Sequence, residues 1–408
     1  MDDERPDADL PDAPGGEDGL QIRVLPSIHQ VPSGQWDLCA GVGKPDHNPF
    51  VRHAFFSALE DSRSTIADTG WYPQHVVVED LSGDVLACAP MFLKNHSYGE
   101  YVFDWGWAEA YQRAGGRYYP KLQCAVPFTP VTGPRLMVRP SLLPSLAHDV
   151  ERGLLGGMVE LASRLKVSSL HVTFPTATEY DTMTRAGFLP RLGEQYHWEN
   201  KDYESFDDFL SELSSRKRKS IRKEREKANS SGVDIQILTG ADIKPRHWDA
   251  FFQFYMNTSD RKWGQAYLTR AFFELLSERM GDAVVLIMGE EDGRLVCGAL
   301  NLRGGNTLFG RNWGTVVDYP MLHFEVCYYR AIDYAIEHKL KWVEAGAQGQ
   351  HKIQRGYMPK RTYSAHWIAD KGFRSAVAEF LDRERAAIIS DIEFQTDLGP
   401  FKRTKSSP

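Results

Sequence analysis

Glu344 closes the apolar run that spans 341–345, and Gly346 and Gly349 follow it. That pattern sets a carboxylate at the end of a strand, where the chain must turn beside a cleft. A carboxylate so placed can take a proton from a nucleophile, which makes Glu344 the first candidate for a general base. His323 and Glu325 stand at a helix start reached after Pro320, and His351 follows the glycine loop. Each could exchange protons or position a nucleophile, while His323 and Glu325, at a helix start, could equally be caps, and Glu325 a charge favoured by the helix dipole. Lys352, Arg355, Lys360 and Arg361 form a cationic cluster suited to a phosphate or a carboxylate. Gly346 and Gly349 would let backbone N–H groups approach a developing oxyanion, and Arg311 and Trp313, late on an aromatic strand, could line the same pocket. His323, Glu325, Glu344 and His351 also have metal-ligand chemistry, but their spacing matches no zinc pattern, and no metal is expected.

A second charged element lies upstream. Ser205 followed by Phe206, Asp207 and Asp208 has the pattern of a helix N-cap, and Phe209, Leu210 and Leu213 give the helix a buried side. Between 216 and 227 there are eight basic residues against Glu224 and Glu226. At that density the charge is expected to surround the helix. Arg218 and Arg222 then become candidates for binding phosphates, against the alternative of a solvated linker helix held by pairs such as Arg222 with Glu226.

The elements that would position these residues repeat. Gly187-Phe188-Leu189-Pro190-Arg191, five residues, then His197-Trp198 is echoed by Gly356-Tyr357-Met358-Pro359-Lys360, five residues, then His366-Trp367. Upstream of each copy lies a hairpin pattern, at 76–93 and at 284–302, then an aromatic strand at 101–107 or 307–313. An apolar-periodic helix follows, at 143–165 or 323–339, and then a strand at 169–174 or 341–345. Two copies of this order imply a tandem duplication of an α/β unit with mixed sheets flanked by helices. The expected organisation is an acidic tail at 1–20, an N-terminal domain at 21–200, a basic connecting helix at 201–231, a C-terminal domain at 232–395 and a flexible tail at 396–408. His197 and His366, present in both copies, read as structural hydrogen-bonding residues.

At 408 residues the chain is long enough for two such domains. Its formal charge of -7 resides entirely in the first nineteen residues, where eight acids face Arg5, so the body is formally neutral. The five cysteines include no C-x-x-C pair, which suits a reducing compartment. No apolar run reaches the roughly 18 residues of a membrane span, and no signal segment is evident, so a cytoplasmic location is expected.

From Leu295 onward the chain resembles the FemABX-related peptidyltransferases, more closely their FemAB-like branch, within the GNAT acyltransferase superfamily. The resemblance rests on Cys297-Gly298-Ala299-Leu300, Arg311-Asn312-Trp313-Gly314, the segment from His323 to Tyr329, the segment from Glu344 to Lys352 that contains Gln348, and Arg355-Gly356-Tyr357 with Pro359. A weaker likeness extends over the first half. The resemblance implies two GNAT-like domains and transfer of an acyl or aminoacyl group to an amine. The donor would be a CoA thioester or an aminoacyl-tRNA acting as co-substrate, with no tightly bound cofactor. It implies Gln348 and Tyr357 among the binding residues. The long coiled-coil pair of some tRNA-dependent relatives is missing, as is the diphosphate loop of CoA-using GNATs, so both donors stay open. A non-catalytic module that recognises a phosphate-bearing or cell-wall-like ligand is the competing reading, and RNA binding by the basic helix is a third. Neither DNA binding nor membrane insertion is expected. The acceptor and the oligomeric state are not fixed by the sequence.

Overall fold

The computed structural model describes residues 19–262, 266–346 and 349–402. The acidic segment 1–18, the last six residues and Gln348 lie outside the described residues. Two compact units interleave along the chain. The first comprises the chain up to Gly43, Phe50–Gly193 and Thr362–Ile388, and the second comprises Lys44–Pro49, Glu194–Arg361 and the chain from Ile389. The repeat had suggested a linear division instead.

In the first unit, Gln21–Leu25, His75–Glu79, Val85–Ala89 and Met137–Val138 form one antiparallel sheet. A second ladder runs Trp71–Pro73, Met91–Lys94, Lys121–Cys124, Ser169–Thr173 and then residues 364–368. The parallel pair within it, Leu122–Cys124 against Leu170–Val172, is joined through the helix Pro144–Arg164. Leu154, Met158 and Leu161 recur along one face of that helix and pack against Val76, Val78, Leu122 and Leu170. The parallel ladder ends at Cys124 and Val172, and beyond it lies the fully buried Arg135. Its guanidinium donates to the carbonyls of Thr173 at 2.9 Å, Val131 at 2.7 Å and Gly133 at 3.1 Å.

The aromatic run 101–107 is not the strand its composition suggested. It is a turn leading into the helix Trp105–Arg113, because Glu100 and Asp104 face inward to Lys121. The Lys121 ammonium donates to Ser97 Oγ at 2.8 Å, Glu100 Oε2 at 2.7 Å and Asp104 Oδ2 at 2.5 Å, all buried. Lys94 lies 3.5 Å above the Trp71 ring. Beside this network, the Nδ1 atoms of His171 and His366 meet at 2.7 Å.

In the second unit the sheet order is Asp234–Thr239, Val284–Glu291, Arg294–Gly304, Thr307–Thr315, Trp342–Glu344 and then the end of the strand Leu189–Glu199. All pairs are antiparallel except Thr307–Phe309 with Trp342–Glu344. The helix that links this parallel pair runs from Leu322 to Glu337 and widens into a π-turn at Glu325–Tyr329. Its residues Tyr329, Ile332, Ala335 and Ile336 pack against Leu308 and Val343.

The basic residues do not surround their helix as expected. Ser215–Asn229 is a separate helix from Phe206–Glu212, with Ile221 and Ala228 buried. On the same side Glu224 accepts from Tyr329 and Arg355, while Arg225 donates to Glu325 and Asp333. Arg216, Lys219, Arg222, Lys223 and Lys227 are left on the exposed face. Among the described residues, no helix is long and apolar enough to cross a membrane.

Candidate functional site

Glu344 and Phe309 are the last paired residues of the parallel ladder, whereas the Phe309 strand continues to Thr315. Beyond this point the two strands offer an edge rather than a ladder. Register shifts here as well: Leu300 faces Asn312 and Asn301 faces Gly310, so Arg311 is the extra residue of a β-bulge. Bulges re-aim side chains, and the Arg311 guanidinium comes within 3.5 Å of the Glu344 carboxylate. Both side chains are less than a tenth exposed.

His197 lies directly across the ladder from Glu344. Burial depresses its imidazole basicity most, the Glu344 carboxylate works the other way, and the charges of Lys360, Arg311 and Lys352 depress it further. The ring lies across from Glu344 with its basicity lowered. Its recurrence in both copies of the repeat makes His197 read as structural in the sequence. The usable signal was its place one strand from Glu344, which needs the pairing register to be seen.

After Glu344 the chain turns through Gly346 at φ 76° and Gly349 at φ 106°, left-handed conformations that favour glycine. Lys352 holds this turn from beneath, donating from Nζ to the carbonyls of Ala345 at 2.5 Å and Gly346 at 3.2 Å. Its ammonium is thus part of the loop's scaffold and is buried. His351 is exposed and its Nε2 is 3.1 Å from the Tyr328 hydroxyl. Partial desolvation, then Arg355 and Lys352, lower its basicity. His323 packs between Trp313 and Tyr328, at ring distances of 5.3 and 5.4 Å, and 6.4 Å from His351. Trp313, His323, Tyr328 and His351 therefore form one half-buried aromatic wall.

Other expected site residues are placed differently. Glu325 is completely buried, with its carboxylate bound by Arg225 at 2.9 Å and Arg330 at 3.1 Å, so it anchors the π-turn. Arg355 donates to Glu224 at 2.8 Å and to the His351 carbonyl at 2.7 Å, with its guanidinium 3.5 Å over Phe324. Tyr357 is fully buried and donates to the Tyr328 carbonyl at 3.0 Å, a core contact. Arg222 pairs with Asp207 at 2.8 Å on the surface, and Arg218 is half-buried on the same helix.

The two units are mixed α/β structures whose sheets are flanked by helices. Of the solved structures, FemX matches with a TM-score of 0.53 and 11% identity, covering 85% of this chain and 98% of that one. The C-terminal domain of a putative lysylphosphatidylglycerol synthetase from Agrobacterium fabrum matches at 0.50 and 9%, covering 80% and 95%. A tandem GNAT protein from the clavulanic acid biosynthesis pathway matches at 0.46 and 12%, covering 86% and 99%. No curated protein matches the chain. The FemAB-like family, described as peptidoglycan biosynthesis/recognition, matches over residues 27–403, and the chain belongs to it.

Proposed function

We propose that the protein is an N-acyltransferase or aminoacyltransferase that moves an acyl group from a CoA thioester or an aminoacyl-tRNA to an amine, on a peptidoglycan-related precursor. The reading rests on one observation: Glu344 sits where the parallel ladder ends, with Arg311 at 3.5 Å and His197 across the strand. In this scheme the amine nitrogen attacks the acyl carbonyl and Glu344 takes its proton, directly or through water. Backbone N–H groups of Gly346 and Gly349 would approach the oxyanion, and the donor's thiolate or ribose oxygen leaves. The exposed cations from Arg216 to Lys227 would suit a phosphate-rich donor. The first unit is read as support, since Arg135 occupies the end of its own parallel ladder.

The test is binding of CoA thioesters and of charged tRNA at low and moderate salt, followed by turnover of the wild type and Glu344→Gln. The expected result is unchanged donor affinity with turnover reduced about 10²- to 10⁴-fold in the variant. Full turnover by Glu344→Gln would remove Glu344 as the base. A wild type that binds ligand and never turns over would make the protein a recognition module.

A further inference from the structure

The helix Ser215–Asn229 carries eight basic residues, and its contacts divide them into two sets. Lys217 donates to Gln354, Arg222 to Asp207, and Arg225 to Glu325 and Asp333, while Arg218 is half-buried. The other four, Arg216, Lys219, Lys223 and Lys227, are exposed and make no hydrogen bond or ion pair among the described residues. At about 100° per residue these four fall within an arc of about 80°, and from first to last they span about 16 Å along the axis. The buried residues Ile221 and Ala228 occupy the opposite side. The free charges therefore run in single file along the crest of a convex surface. Glu226, the exposed acid of this helix, stands at the edge of the file.

The shape of the file selects its partner. A cylinder touches a plane along one line, so all four charged heads can reach a flat anionic surface at once, whereas a compact diphosphate would engage one or two of them and leave the rest idle. The helix has no aromatic residue on which a nucleic-acid base could stack. Three of the four free cations are lysines, compact charges that suit mobile headgroups, while the planar donor Arg225 is committed to the carboxylates of Glu325 and Asp333. We propose that this face of the helix docks the protein on an anionic phospholipid surface, with Arg216, Lys219, Lys223 and Lys227 among the headgroups. The contact is electrostatic and leaves the helix outside the bilayer, because its apolar residues are turned into the protein. Each lysine near such a surface strengthens binding about fivefold, so the attachment is modest and sensitive to salt. It does not depend on the chemistry at Glu344 or on which acyl donor is used.

The experiment is sedimentation of the full-length protein with large vesicles, made of phosphatidylcholine alone or mixed with phosphatidylglycerol, at low and high salt. The protein should sediment with the mixed vesicles at low salt, leave them at high salt, and ignore phosphatidylcholine alone. A Lys219→Gln, Lys223→Gln, Lys227→Gln variant should associate about 10²-fold more weakly. Its melting temperature should match the wild type, since these side chains hold nothing within the protein. A control variant, Arg117→Gln, Lys166→Gln, Lys371→Gln, removes three exposed cations elsewhere and should bind as the wild type does. Equal losses in the two variants would overturn the proposal, because net charge rather than this face would then govern binding. Binding of tRNA by a wild type that ignores the mixed vesicles would overturn it too, and would make the file a nucleic-acid contact.

Discussion

Acidification from pH 7.5 to 5.5 should destabilise the first unit through two histidines. His171 and His366 are 2% and 1% exposed, and their Nδ1 atoms lie 2.7 Å apart, so one donates and the other must present a lone pair. His171 is lowered to about 3, chiefly by burial and then by Lys121, with Asp104 opposing. His366 is pushed well below its ordinary value by burial, then by His171 and Arg191. In the unfolded chain both titrate near 6.5. A base whose folded pKa is depressed contributes stability above the unfolded pKa and loses it as pH falls toward the folded one. Across this window the two unfolded histidines together gain proton-binding free energy of about 3 kcal/mol that the folded state does not match. The assay is hydrogen exchange of the amides in Ser169–Thr173, corrected for intrinsic rates, in the wild type and in a His171→Gln, His366→Gln double variant. Other depressed histidines, among them His53 and His96, contribute equally to both proteins and cancel in the comparison. The wild type should lose about 3 kcal/mol more than the variant. Equal losses in the two proteins would refute the assignment of a neutral buried pair.

Arg225→Ala should cost about 1–3 kcal/mol in urea unfolding, because it removes one of the two counter-charges of the completely buried Glu325 and leaves Arg330 as the other. Replacing Arg225 and Glu325 together by leucine should cost less than the single change. Gly356→Ala should lower the melting temperature at a cost of about 1–3 kcal/mol. Gly356 has φ 88°, and an added Cβ would stand 2.7 Å from the Phe209 ring.

Local pattern made much of the fold legible. Apolar runs flanking a turn marked the hairpins expected at 76–93 and 284–302, whose strands are His75–Glu79 with Val85–Ala89 and Val284–Glu291 with Arg294–Gly304, and 3.6-residue periodicity marked Pro144–Arg164. Ser205 does cap Phe206–Glu212, accepting from the Asp208 amide. What local pattern missed depends on distant partners. The run 101–107 looked like strand because the inward anchors that turn it into a helix start, Glu100 and Asp104, answer to Lys121 more than fifteen residues away. The basic helix looked uniformly solvated because the acids that receive Arg225, Glu325 and Asp333, lie about a hundred residues downstream. Glu344 could be singled out because a strand end followed by glycines is a local signal. The nearness of Arg311 and His197 arises from a bulge and a cross-strand register, neither of which composition records.

The first unit's strand Ser169–Thr173 takes its outer partner from residues 364–368, and His171 meets His366 195 residues later in the chain. During synthesis that partner emerges roughly 10–40 s after the strand it must cover, at ordinary elongation rates. Until then the nascent chain carries an open sheet edge, the kind of surface that recruits foreign strands. A fragment that stops near residue 200 would retain that edge permanently, so dissection at the apparent repeat boundary should yield an aggregating N-terminal piece rather than a free domain. The protein's birth is therefore a timing problem, in which the last part of the chain completes the first.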